Sequence, residues 1–472
     1  MEIKMVRFFK ILRVLPVVSF FCIWFTGCRD NSIRLVSVQE QSAAGNVLMK
    51  TIEVVCNKNA GIFIRYWEKA NPEKSFVTVV SSGKKVHRFP LLLLKPAATY
   101  QYAVVTRTDK ITRTLGEVRT FQTGELPMGI QEMVMPAEIQ DPLPEAFAKG
   151  YTLIARRDLP GQMYLVNAKG QIVWYHTIKD AGFKVAHFTK QATLLTLVAP
   201  LSYPTSYGNE ILEVSLAGDT VFHLKKGEKG FDKTIHHELF YNDQHQLVTL
   251  TLEKEVLDLS KAGGTKADTV TGDGILILDH KGNKVWEWSV FDVLDPLTDP
   301  QILNDRTDWL HANSLSVDTD GNYLLSFYLS GQLWKIDAKA GNVIWKLGRN
   351  GEYTFPRGGA FHESHAAYRN PRNQLMLFEN GTDQQRSRVL TYTLDEQGHK
   401  AYLNRSIELP RHLYSERMGS AYWINDSSTL VCSAQANSVS LVNNRGAVLW
   451  RIRTGFAPYR AVFIDHLPLP YF

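Results

Sequence analysis

The chain has 472 residues and a formal net charge of +6, with 44% hydrophobic, 11% aromatic and 21% charged side chains. That is an ordinary globular profile with ample material for a core, and it excludes a disordered chain and a collagen-like repeat. No run of clustered Lys and Arg with interleaved aromatics occurs, so nucleic acid is not an expected partner.

Residues 1–27 read as an address. Lys4, Arg7, Lys10 and Arg13 precede an apolar run from Val14 to Phe25, the length of a signal-peptide core and short for a membrane span. The run ends in Phe25-Thr26-Gly27-Cys28, which resembles a bacterial lipobox, with Cys28 the residue that would carry lipid. An uncleaved anchor is the alternative. Either way the body of the chain is expected outside the cytoplasm, on the periplasmic or cell-surface side of a bacterial envelope membrane. The segment holds +3 of the net charge, which leaves +3 for the remainder.

Residues 28–124 alternate like strands, as in Gly61-Ile62-Phe63-Ile64-Arg65-Tyr66 and Phe76-Val77-Thr78-Val79-Val80. Leu94-x-Pro96-x-x-Thr99-Tyr100-x-Tyr102, followed by Phe121-x-Thr123, resembles the tyrosine corner and last strand of a fibronectin type III domain. A corner tyrosine ties its hydroxyl to upstream backbone. A small β-sandwich is expected here, and a Pro-, Met- and acid-rich linker over 125–149.

From residue 150 to 472 one outline recurs six times: a strand, a turn carrying Asp, Asn or Ser with Gly, and a strand that usually ends in Trp or another large apolar residue. Measured between Asn167, Ser215, Asp279, Asp337, Asp395 and Asn443, the steps are 48, 64, 58, 58 and 48 residues. Such periods suit four-stranded propeller blades with loops. The expected fold is therefore all-β, an N-terminal sandwich followed by a six-bladed propeller.

In three blades the preceding strand pair opens with histidine, at His237, His311 and His365, and the following strand begins 10, 13 and 10 residues later. First strands line a propeller's channel, so three of the chain's 14 histidines are expected at one mouth. His187 is a candidate for the same slot in an earlier blade. Three imidazoles also suit zinc, but the spacing shows no carboxylate to support such ligands. Cys56 and Cys432, the two cysteines outside the N-terminal segment, fit either a disulfide or two separate buried thiols.

Asp308-Trp309-Leu310-His311-Ala312-Asn313-Ser314 resembles the bacterial arylsulfate sulfotransferases. So do Ser364-His365-Ala366-Ala367 with Leu377-Phe378-Glu379-Asn380-Gly381, Tyr414-Ser415 with Met418-Gly419-Ser420, and Pro458-Tyr459-Arg460-Ala461. The resemblance covers nearly all of the chain beyond the N-terminal segment. It implies a sandwich plus six-bladed propeller, and transfer of a sulfuryl group from a phenolic sulfate donor to a phenolic acceptor without nucleotide or other cofactor. His365 matches the family's nucleophile, which attacks sulfur to form a sulfohistidine, and His237 and His311 match its other channel histidines. Asn313, Ser420 and Arg460 fall in the matching runs as substrate-binding residues. Tyr328 stands where the family carries a sulfate-clamping arginine, so Arg357 or Arg460 would have to compensate. Ser364 replaces the usual Gln.

That departure keeps two other readings open: a lipid-anchored propeller that only binds a partner, and a metal-dependent lyase or hydrolase. No GxxxxGK[ST] phosphate loop, Cys/Ser-x-Pro-x-Arg sulfatase run or βα alternation occurs.

Overall fold

The computed structural model describes residues 32–467, apart from 44, 109, 110, 141 and 205. The lipobox and Cys28 lie outside the described residues. No helix among the described residues is long and apolar enough to cross a membrane.

Strand Asn46–Glu68 organises the N-terminal body, because it serves two layers. Its first half pairs with Leu35–Ala43 and Ser81–Leu91, and its second half with Ser75–Val77 and Thr99–Thr108, which pairs in turn with Ile111–Gln122. Irregular register between Val55 and Ile62 lets the strand cross from one layer to the other. Alternate residues of both halves (Ile52, Val54, Ile62 and Ile64) meet Phe89, Tyr100, Tyr102 and Phe121 in a single core. Tyr100 Oη accepts the Lys95 N–H at 2.9 Å, the upstream backbone tie expected of a corner tyrosine.

Six further sheets radiate around the channel. The six hairpins marked by the repeat are the third and fourth strands of the blades, the outer pair. Their turn residues act through side-chain oxygen: Asp279 Oδ1 accepts the N–H groups of Lys281 and Asn283, both at 2.8 Å. The Gly that follows adopts the left-handed backbone the turn needs, at φ +87° for Gly282. The outer tryptophans stitch neighbouring blades. Trp174 donates to Leu216 O, Trp288 to Gly341 O and Trp450 to Ala168 O, at 2.7–2.8 Å.

The ring closes with strand Ala461–Ile464, from the far end of the chain, which supplies the innermost strand of blade one by pairing with Tyr151–Arg156. Segment 125–149, expected as a linker, is part of the packing. Glu138–Ile139 adds an edge strand to blade six, and Phe147 is buried against Trp450 and Phe463 at ring distances of 5.1 and 5.5 Å. Its Pro-rich composition conceals a few apolar anchors, Ile130, Val134 and Phe147, each at most 7% exposed. Cys56 and Cys432 are separate buried thiols.

Candidate active site

The first strand of each blade faces the channel, and in five of them the pairing with the next strand is irregular, in blade six beside the turn, between Trp423 and Asn425. The other register breaks fall between Phe183 and Val185, His236 and Leu239, Ala312 and Ser314, and His365 and Tyr368. Beside three of them the backbone turns left-handed, at φ +55° for His237, +57° for His311 and +51° for Ala366. A bulge bends its strand and re-aims a side chain, and a left-handed non-glycine residue costs roughly 1–3 kcal/mol that the surrounding fold must hold. His237, His311 and His365 thereby line one cavity of about 910 Å³, with Arg157, Asp308 and Tyr328.

The rings form a row. His237 and His311 lie 5.2 Å apart edge to face, Tyr328 is 5.9 Å from His311, and His365 is 5.2 Å from Tyr328. Each imidazole has its Nδ1 already engaged. His365 Nδ1 lies 2.7 Å from Asn380 Oδ1, while Asn380 Nδ2 donates to the carbonyls of Ser415 and Met418 at 2.7 and 2.8 Å. Those two bonds fix which end of the amide is oxygen, so His365 must donate through Nδ1 and keep its lone pair on Nε2. Burial pushes the His365 pKa down to about 3, with the charges of His311 and Arg460 acting the same way and the Asn380 bond opposing. The ring is neutral.

His311 differs. Its Nδ1 meets Asp308 Oδ2 at 2.7 Å. Burial alone would lower its pKa, but the hydrogen bond and charge of Asp308, with Asp273 behind, carry it above the ordinary value. His311 is the imidazole of the row whose surroundings favour the charged form. His237 stands apart from His311. His237 is 6% exposed, and burial together with His236, His311, His365 and Arg460 pushes it well below the usual range.

The remaining sequence candidates are divided between two places. The Tyr328 ring fills the gap between His311 and His365, and its hydroxyl donates to Glu416 O at 3.2 Å. Asn313 is fully buried behind the row, and its Nδ2 donates to Ser364 O at 2.7 Å, bracing the residue before His365. Ser420, Arg460 and His187 line a second, largely apolar cavity of about 370 Å³ further along the channel. There the Arg460 guanidinium bonds to Glu238 and to Asn313 O, and His187 Nε2 sits 2.7 Å from the same carboxylate. Arg357 lies over the ring of Tyr402 at 5.7 Å and lines neither cavity.

Three residues to which the sequence reading gave no role complete the site. Asp308 and Asn380 orient His311 and His365; both lay within the quoted motifs, but contacts across a loop or between neighbouring strands leave no periodic mark. Arg157, at the end of blade one's second strand, lines the histidine cavity and stacks over Tyr459 at 5.4 Å. Its Nη1 donates to Ser206 Oγ at 3.3 Å, and its buried Nε has no partner among the described residues. No group of three or more His, Cys, Asp and Glu side chains is arranged to hold a metal ion among the described residues.

Fold and site define a six-bladed propeller carrying an imidazole cluster in its channel, a neutral ring beside one whose pKa is raised. Residues 137–454 match the model of the arylsulfotransferase (ASST) family, and the chain belongs to that family. A search of curated proteins finds no match. Among solved structures, a protein of unknown function from Bacteroides caccae is similar at 10% identity and TM-score 0.43, over 67% of this chain and 100% of that one. Virginiamycin B lyase from Staphylococcus aureus is similar at 11% identity and TM-score 0.31, over 89% and 99%. A luciferin-regenerating enzyme is similar at 10% identity and TM-score 0.34, over 69% and 99%.

Proposed function

We propose that the chain moves a sulfuryl group from an aryl sulfate ester to a phenol in two displacements, through a sulfohistidine on His365. The observation that carries this is the fixed tautomer of His365. A neutral imidazole with Nδ1–H bound to Asn380 presents the Nε2 lone pair to the cavity, the form a nucleophile needs. Nε2 attacks sulfur, the S–O(aryl) bond breaks, and the phenolate leaves with a proton from the cavity wall. A phenol then attacks the N-sulfuryl group, gives up its proton and departs as the new sulfate ester, restoring His365.

Positive charge at His311 and Arg157 binds the sulfuryl oxygens and stabilises the charge that develops on them. Arg157 reaches the cavity from blade one and takes the place of the arginine that Tyr328 lacks, which favours an enzyme over a binding module. Export and lipidation of Cys28 belong to the same proposal; Cys28→Ser should abolish labelling by a fatty-acid probe. The activity is tested with an aryl sulfate and no nucleotide. Turnover should rise when a second phenol is added, and full activity in His365→Ala would overturn the assignment.

A further inference from the structure

Two buried side chains behind the cluster have no part in the steps above. His236, beside His237 on the same inner strand, is 1% exposed, and its Nδ1 lies 2.7 Å from His237 Nδ1. Its Nε2 faces the other way, toward Oδ1 of Asp273 at 3.4 Å. Asp273 sits on strand Asp268–Leu278 of the same blade, is 3% exposed, and accepts the Ala312 N–H through Oδ2 at 2.9 Å. A carboxyl and two imidazoles thus form a file that ends in the cavity at His237.

With Asp273 protonated the file holds three protons, one on the carboxyl, one between the rings and one on His237 Nε2; with Asp273 ionised it holds two. A contact between two Nδ1 atoms holds a single proton, so the two rings are complementary: when His236 donates, His237 carries its proton on Nε2, and when His237 donates, its Nε2 is bare. Burial pushes His236 down to about 4 and His237 well below the usual imidazole range, so neither ring readily becomes an imidazolium. The carboxyl is the member that exchanges a proton near neutrality: burial raises Asp273 to about 7, with Glu253 and Asp308 adding to the rise, and the Ala312 N–H and His311 opposing it.

We propose that Asp273 and His236 are positioning residues that pass a proton to His237 and take it back, so that His237 serves as acid and then as base while staying neutral. The proposal rests on the sulfuryl-transfer reading. In the first half-reaction the departing phenolate takes the Nε2 proton of His237. His236 replaces it through Nδ1, and Asp273 gives its carboxyl proton to His236 Nε2, ending as carboxylate. The acceptor phenol returns one proton along the same file. His236 Nε2 makes no hydrogen bond in this geometry, so the 3.4 Å step to Asp273 must both shorten and realign to reach hydrogen-bond range, as catalytic contacts do when substrate binds. His311, which Asp308 biases toward the charged form, is the poorer candidate for base in the second half-reaction.

Leaving-group chemistry tests the proposal. Asp273→Asn keeps an acceptor for Ala312 and a donor toward His236 but releases no proton. With phenyl sulfate, whose phenolate must be protonated, kcat/KM should fall by roughly 10²-fold. With 4-nitrophenyl sulfate, whose phenolate leaves unprotonated, sulfohistidine formation should be little changed, which also shows that the variant is folded. His236→Phe should show the same selectivity. Equal losses on both donors, or no loss on either, would overturn the proposal. Absence of sulfohistidine in the unaltered protein is a separate result, and it would overturn the reading beneath it.

Discussion

Replacing Asn380 by leucine removes the acceptor that holds the proton of His365 on Nδ1. Asn380 and His365 are both essentially inaccessible, at 0% and 4% exposure, so water does not readily substitute. A buried donor left unsatisfied costs about 1–3 kcal/mol. The imidazole relieves that cost by moving its proton to Nε2, where it cancels the lone pair that attacks sulfur. The reactive tautomer becomes a minority by the same free energy, and the first half-reaction should slow about 5- to 150-fold. The assay is rapid-quench intact-mass measurement of sulfohistidine formation, with the thermal midpoint recorded alongside because the Ser415 and Met418 carbonyls also lose a donor. A folded Asn380→Leu protein that forms the adduct within twofold of the unaltered rate would refute the argument from tautomer to reactivity.

Three further outcomes follow from the site. Asp308→Asn removes the charge that raises His311; since that imidazolium is lost as pH rises through its pKa, the rise in donor KM on the alkaline side should move to lower pH in a KM–pH profile. Arg157→Met deletes a cavity cation, and at about 1.5–3 kcal/mol for a hydrogen bond to a charged group donor KM should rise roughly 10- to 150-fold while the fold survives. Arg460→Met leaves the Glu238 carboxylate, 3% exposed on its side chain, with His187 as its remaining ionisable partner; breaking one side of a buried pair costs about 3–5 kcal/mol, to be read as a lower urea midpoint.

Much of the architecture was legible because a blade is a local object. The Asp279 and Asn443 turns and the tryptophans after them recur along the chain, and each marks an outer hairpin. Closure was not legible: Ala461–Ile464 pairs with Tyr151–Arg156 across the whole propeller, and nothing in either strand announces the other. The packing of segment 125–149 was hidden by its composition. At the site, the matching blade positions placed His237, His311 and His365 at one level. The same alignment could not separate Ser420 and Arg460 from them, because inner strands run along the channel and each residue advances about 3.3 Å. A shift of a few residues therefore carries a side chain into the second cavity. Arg157 escaped because it fills its role from another blade, where no motif position points to it.

A sulfuryl group covalently held on His365 is the species on which the proposed reaction depends. Incubating the purified protein with 4-nitrophenyl sulfate and no acceptor, then measuring intact mass and mapping the peptide, tests it most directly. His365 should gain one sulfuryl group, lost on addition of a phenol and absent in His365→Ala. Turnover without any adduct, or an adduct on His237 or His311 instead, would contradict it.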